Sequence, residues 1–100
     1  MILVDTDVLI WHLRGFPPAG AWLRAARMRD HLGISAVTVA ELTSGMLSGE
    51  RREVRALLSA LETRPVTDVV ARRAGDLMRQ FRSSHQIGLG DYLIGATALE

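Results

Sequence analysis

The apolar positions of this chain come in short blocks separated by turn residues, and the blocks alternate in kind. Ile2-Leu3-Val4 has no polar residue among its members, which predicts a short strand covered on both faces. Val8-Leu9-Ile10-Trp11 begins a first helix that ends near Arg14-Gly15. Pro17-Pro18 breaks the chain and then suits the first turn of a second helix, running to about Leu32 with Trp22, Leu23 and Ala26 on its apolar stripe and Gly33 closing it. Ile34-Ser35-Ala36-Val37 is short and β-prone, a second buried strand. Thr38 and Glu41 match a capping box that opens a helix through Leu42, Met46 and Leu47. From Glu50 to Thr63 the residues Val54, Leu57, Leu58 and Leu61 repeat at i, i+3, i+4 and i+7, the pattern of an amphipathic helix, with Arg51, Arg52 and Arg55 on its solvated side.

The second half repeats the scheme. Pro65-Val66-Thr67 predicts a minimal third strand, and Thr67 or Asp68 caps a helix lined by Val70, Ala74, Leu77, Met78 and Phe81. Ser83-Ser84-His85 ends that helix, Ile87 to Gly90 is a connection, and Asp91 caps or opens a last helix through Leu99. Strands that alternate with helices at these lengths require right-handed crossovers and a parallel sheet, so the expected fold is α/β, in one domain.

Composition narrows this reading at a few points. Apolar residues make up 48% and charged residues 23% of the 100 positions, the proportions of a globular domain. No apolar run is long enough to cross a bilayer and the N-terminus lacks the features of a secretory signal, so the expected compartment is the cytoplasm. With no cysteine there is no thiolate, and a metal would have to be held by oxygen or imidazole. All twelve basic residues are Arg, yet the net charge is only +1, which excludes the large basic footprint of a duplex-binding protein.

The chemistry rests on acids at strand ends. Asp5 follows the first strand, Glu41 lies at the start of the helix after the second, and Asp91 begins the last helix. In an open parallel sheet these points share the edge where ligands bind, and the three carboxylates are expected to converge. Two such charges about 4 Å apart repel by about 4 kcal/mol at an effective dielectric near 20, so a cluster would recruit a cation. Mg²⁺ or Mn²⁺ suits hard oxygen donors and keeps waters for an attack on a phosphodiester. Each acid also has a plainer reading: Asp5 or Asp7 as a helix cap, Glu41 as half of a capping box, Asp91 as a complement to a helix dipole. His12, His31 and His85 lack the spacing of a helical zinc site, and Trp11 and Trp22 read as core or interface anchors.

Three blocks, Val4-Asp-Thr-Asp-Val-Leu-Ile10, Ser35-Ala-Val-Thr-Val-Ala-Glu-Leu42 and Gly90-Asp-Tyr-Leu-Ile-Gly-Ala-Thr-Ala-Leu99, resemble in order and spacing the successive signatures of PIN-domain ribonucleases of the VapC toxin group. The resemblance covers nearly the whole chain. It implies a three-layer α/β/α sandwich around a parallel sheet, Mg²⁺- or Mn²⁺-dependent endoribonuclease activity, homodimerisation, and neutralisation by a cognate VapB-like antitoxin. It implies that Asp5, Glu41 and Asp91 are the metal ligands. Thr6 then orients the first carboxylate or a water, Ser35 and Thr38 are candidate donors from behind, and Asp7, where such sequences often carry Asn or another polar residue, either approaches the metal or stands clear of it. Members of that group continue into a fourth strand and a further Asn or Asp, whereas this chain stops at Glu100. The expectation is therefore a C-terminally incomplete domain in which the first strand lacks one neighbour. The alternative function is a non-catalytic module that binds an antitoxin without turnover.

Overall fold

A computed structural model describes residues 1–81 and 87–100. Its elements run β1 (Ile2–Leu3), α1 (Thr6–Leu13), α2 (Pro17–Arg29), β2 (Leu32–Ser35), α3 (Ala36–Gly45), α4 (Arg51–Ser59), β3 (Glu62–Arg64), α5 (Asp68–Phe81) and α6 (Leu89–Leu99). The three strands form one parallel sheet in the order β1-β2-β3, with Ile2 opposite Leu32 and Ile34 opposite Thr63. The α/β class and the parallel sheet agree with the reading of the pattern. β1 stands at the sheet's edge, joined to β2 on one flank.

Element boundaries moved where a residue's pairing partner lies far away in sequence. The second helix ends at Arg29, three residues earlier than its pattern suggests, and Leu32 and Gly33 belong to β2. Gly33 is a strand residue paired with Leu3 on one side and Glu62 on the other, and the space suits glycine: a Cβ there would collide with Met1 Sδ and lie 3.1 Å from the Glu62 carbonyl oxygen. Ala36 and Val37, expected in the strand, open α3 instead, because the Ser35 hydroxyl accepts from the Val37 N–H at 3.1 Å and caps the helix there. The third strand lies at Glu62–Arg64 and not at Pro65–Thr67. Proline brings no N–H to a ladder, so the pairing with β2 stops before it. The segment that supplies β3 had been the expected tail of a helix, which ends at Ser59.

Two apolar clusters hold these elements. Val4, Leu9, Ala26, Leu32, Ile34, Leu42 and Val54 form the larger, and the half-buried Leu57, Leu58 and Leu61 of the amphipathic stripe pack against it. Val70, Ala74, Tyr92 and Ala96 form the smaller, between α5 and α6. Thr67 caps α5, its hydroxyl accepting from the Val70 N–H at 3.1 Å. Trp11 and Trp22 are about half exposed rather than core residues, and Trp11 stacks edge-on against Phe16 with centroids 6.4 Å apart. The expected helix stop at Ser83-Ser84-His85 lies outside the described residues. No helix among the described residues is long and apolar enough to cross a membrane.

Candidate functional site

Asp5 occupies the cap position of α1 in extended backbone (φ −72°, ψ 147°), but its side chain makes no capping bond. Neither Thr6 nor Asp7 is the cap; both are helical, and Asp7 is an exposed acid in the first turn. The carboxylate of Asp5 is exposed at the carboxyl end of β1. A local role that could have consumed it is thus absent.

The capping box at Thr38 and Glu41 does not form. Ser35 takes the cap three residues earlier, so Thr38 falls within the first turn of α3 and Glu41 one turn further along. This shift releases both side chains to make contacts across the fold. Thr38 is fully buried, and its Oγ1 lies 2.9 Å from Thr6 Oγ1. Thr6, itself 6% exposed, donates to Glu41 Oε1 at 2.8 Å. The expected partner of Thr6 was the first carboxylate, Asp5, or a water; its bond in the structure goes to Glu41.

The last helix begins at Leu89, two residues before Asp91, with Gly88 at its cap and no side-chain capping bond. Asp91 is therefore an exposed acid of the first turn and not the cap. Its neighbour Gly90 faces α3: a Cβ there would lie 3.7 Å from Glu41 Oε2 and 3.8 Å from Val37 Cγ1. Further along the same helix, Thr97 Oγ1 donates to the Leu93 carbonyl at 2.7 Å and lies 3.4 Å from Ser35 Oγ. Sequence reasoning passed over Thr97. The signal was present, since a polar residue on an otherwise apolar helix needs a partner when buried, and Thr97 is 6% exposed.

Thr6, the residue after Asp5, and Gly90, the residue before Asp91, thus both stand beside the Glu41 carboxylate on α3. The structure does not close Asp5, Glu41 and Asp91 into a chelate: among the described residues, no three Asp, Glu or His side chains are near enough to hold a metal together. Mutual repulsion of about 4 kcal/mol per pair at 4 Å, at an effective dielectric near 20, opposes such a group in protein atoms alone. The donor chemistry still fits a hard divalent cation, since every candidate is a carboxylate and Glu41 Oε2 has no hydrogen-bond partner among the described residues.

The profile of the PIN domain family matches residues 2–100. Ribonuclease VapC10 of Mycobacterium tuberculosis is 60% identical over 99 residues, a match that spans 98% of this chain and 74% of that protein. Among solved structures, a toxin-antitoxin complex from Klebsiella pneumoniae superposes with a TM-score of 0.79 at 23% identity, over 99% of this chain and 78% of that one. VapBC2 from Rickettsia felis, bound to a DNA fragment from its promoter, superposes with a TM-score of 0.80 at 23% identity, over 98% of this chain and 80% of that one. The two structural matches bear on the fold alone.

Proposed function

This chain belongs to the PIN-domain family, and from that membership we propose that it is a ribonuclease of the VapC type, cleaving RNA phosphodiesters by attack of water at an acidic site for Mg²⁺ or Mn²⁺. Asp5, Glu41 and Asp91 are the ligands on this reading. A divalent ion held there would supply a water of lowered pKa and neutralise charge on the phosphate. The protein's own part is to hold the acids in register and to leave oxygens open toward the substrate. The observation that carries the reading is the contact between α1 and α3, where Thr6, the residue after Asp5, donates to Glu41. Asp5, free of a capping bond, is available to share the ion.

The partners on this reading are RNA, a VapB-like antitoxin and a second copy of the chain, in the cytoplasm. One chain of like fold was solved in a toxin-antitoxin complex, and the antitoxin is proposed by that likeness of fold. A second reading, a PIN-like module that binds an antitoxin without turnover, is favoured by one observation, the lack of a closed group of three acids among the described residues.

Calorimetric titration of Mn²⁺ into the wild type, Asp5→Asn and Asp91→Asn separates the two. Binding that both substitutions abolish, together with Mn²⁺-dependent cleavage of single-stranded RNA, is the result expected of the ribonuclease. A folded wild type that takes up no Mn²⁺ and cuts no RNA would leave the interaction module as the function.

A further inference from the structure

Glu41 sits one turn inside α3 on an exposed face, where a long side chain ordinarily samples several rotamers. Here it is tied to Thr6, and the hydrogens available dictate how. Thr6 has a single hydroxyl hydrogen, and the only role open to it against a carboxylate oxygen at 2.8 Å is to donate. The contact of 2.9 Å between Thr6 Oγ1 and Thr38 Oγ1 must then be supplied by the hydrogen of Thr38. The chain therefore runs one way, from Thr38 to Thr6 to Glu41.

We propose that Thr38 is a positioning residue for the acidic site: its buried hydroxyl donates to Thr6 and so holds both the rotamer of Thr6 and, through it, the carboxylate of Glu41. This rests on the reading of Glu41 as a metal ligand, but the ordering of Glu41 can be tested without any metal. Burial gives the link its strength. Thr38 is fully enclosed and Thr6 nearly so, and a hydrogen bond out of contact with water is neither competed for nor easily exchanged. The Thr6 end also fixes the start of α1, because Thr6 is the residue after Asp5. One hydroxyl on α3 thus acts on Glu41 and on the first residue of α1, the neighbour of Asp5. With Oε1 engaged by Thr6, Glu41 presents Oε2, the oxygen on the side of Gly90 and Asp91, as its open donor. The resemblance already implied a donor at Thr38; the structure adds that its acceptor is Thr6, which local pattern does not show because Thr38 with Glu41 reads as a capping box until Ser35 is seen to hold the cap.

The test compares wild type, Thr38→Val and Thr38→Ser. Valine keeps the shape and removes the hydroxyl; serine keeps the hydroxyl and removes the methyl. Three-bond NMR couplings on the metal-free proteins report the χ1 rotamers of Thr6 and Glu41. Single rotamers are expected in the wild type and Thr38→Ser, and averaged couplings in Thr38→Val, with amide spectra showing all three folded. Mn²⁺ affinity should fall about tenfold or more in Thr38→Val and stay within a fewfold of wild type in Thr38→Ser, as for partners that orient metal ligands elsewhere. If Thr38→Val does not fold, Thr38→Ala removes the same hydroxyl with less crowding and carries the comparison. A folded hydroxyl-free variant in which Glu41 keeps one rotamer overturns the proposal. Failure of the wild type to bind Mn²⁺ would instead count against the ribonuclease reading, and the metal-free couplings would still decide the role of Thr38.

Discussion

The two apolar clusters differ in kind, and the candidate site straddles them. The larger draws on one face of β2, through Leu32 and Ile34, and on four helices, with branched aliphatics such as Val4, Leu9, Ile34 and Leu42 almost wholly enclosed. The smaller is one helix pair, α5 against α6, where Ala74 and Ala96 let the backbones approach and Tyr92 fills the remaining space. Asp5 and Glu41 stand on elements of the first cluster, and Asp91 on an element of the second. α6 is joined to the rest by small and polar groups, Gly90 beside Glu41 and Thr97 beside Ser35. The larger cluster therefore decides whether the chain folds. The helix pair decides whether the third acid arrives.

Leu9→Ala should break the first cluster outright. It leaves a cavity in a fully enclosed position and should cost about 2–5 kcal/mol, read as a lower urea midpoint together with loss of any metal binding. Asp91→Asn should do the reverse. On the proposed function it lowers Mn²⁺ affinity about a hundredfold, equivalent to about 2.7 kcal/mol, and leaves the urea midpoint unchanged because the side chain is exposed. Ala74→Leu tests the division most directly. It overpacks the helix pair at a cost of about 1–3 kcal/mol and should weaken Mn²⁺ binding although it touches no acid. If Ala74→Leu destabilises while metal affinity holds, α6 is positioned by its contacts with α3 and not by α5.

Two smaller effects refine the comparison. Thr67→Ala removes the cap of α5 and should cost about 1 kcal/mol by denaturant titration. At the other end of the sheet, the N-terminal ammonium and the backbone N–H of His31 hold the Asp30 carboxyl down to about 2 from its ordinary 3.8. A depressed carboxyl favours the folded state above its unfolded pKa and loses that contribution as pH falls from about 4 toward 2. Asp30 is about half exposed, so the contribution is small, and Asp30→Asn should lower the neutral plateau slightly and thereby flatten the acid limb of the stability curve between those values.

Much of the fold is legible in local pattern. The stripe of Val54, Leu57, Leu58 and Leu61 faces the first cluster as its spacing requires, and Val70 and Ala74 face α6. The helix over Pro17–Arg29 opens on its prolines. What failed to read was every boundary set by a partner far away. Gly33 looks like a helix stop, and becomes a strand residue because it pairs with Leu3 and Glu62. Glu62-Thr63-Arg64 carries no strand pattern, its side chains all exposed, and pairs through backbone alone.

The candidate acids divide in the same way. Local pattern was enough to place Asp5 after the first strand, Glu41 in the helix after the second and Asp91 at the start of the last helix, because strand and helix periods are local. It could not tell that the cap of α3 belongs to Ser35, since Ser35 and Thr38 are equally able acceptors and only the end of the ladder with β3 chooses between them. Nor could it tell which carboxylate Thr6 would meet. A hydroxyl reaches whatever stands within about 3 Å of it, and across 35 positions of sequence only the packing of α1 on α3 brings Glu41 there.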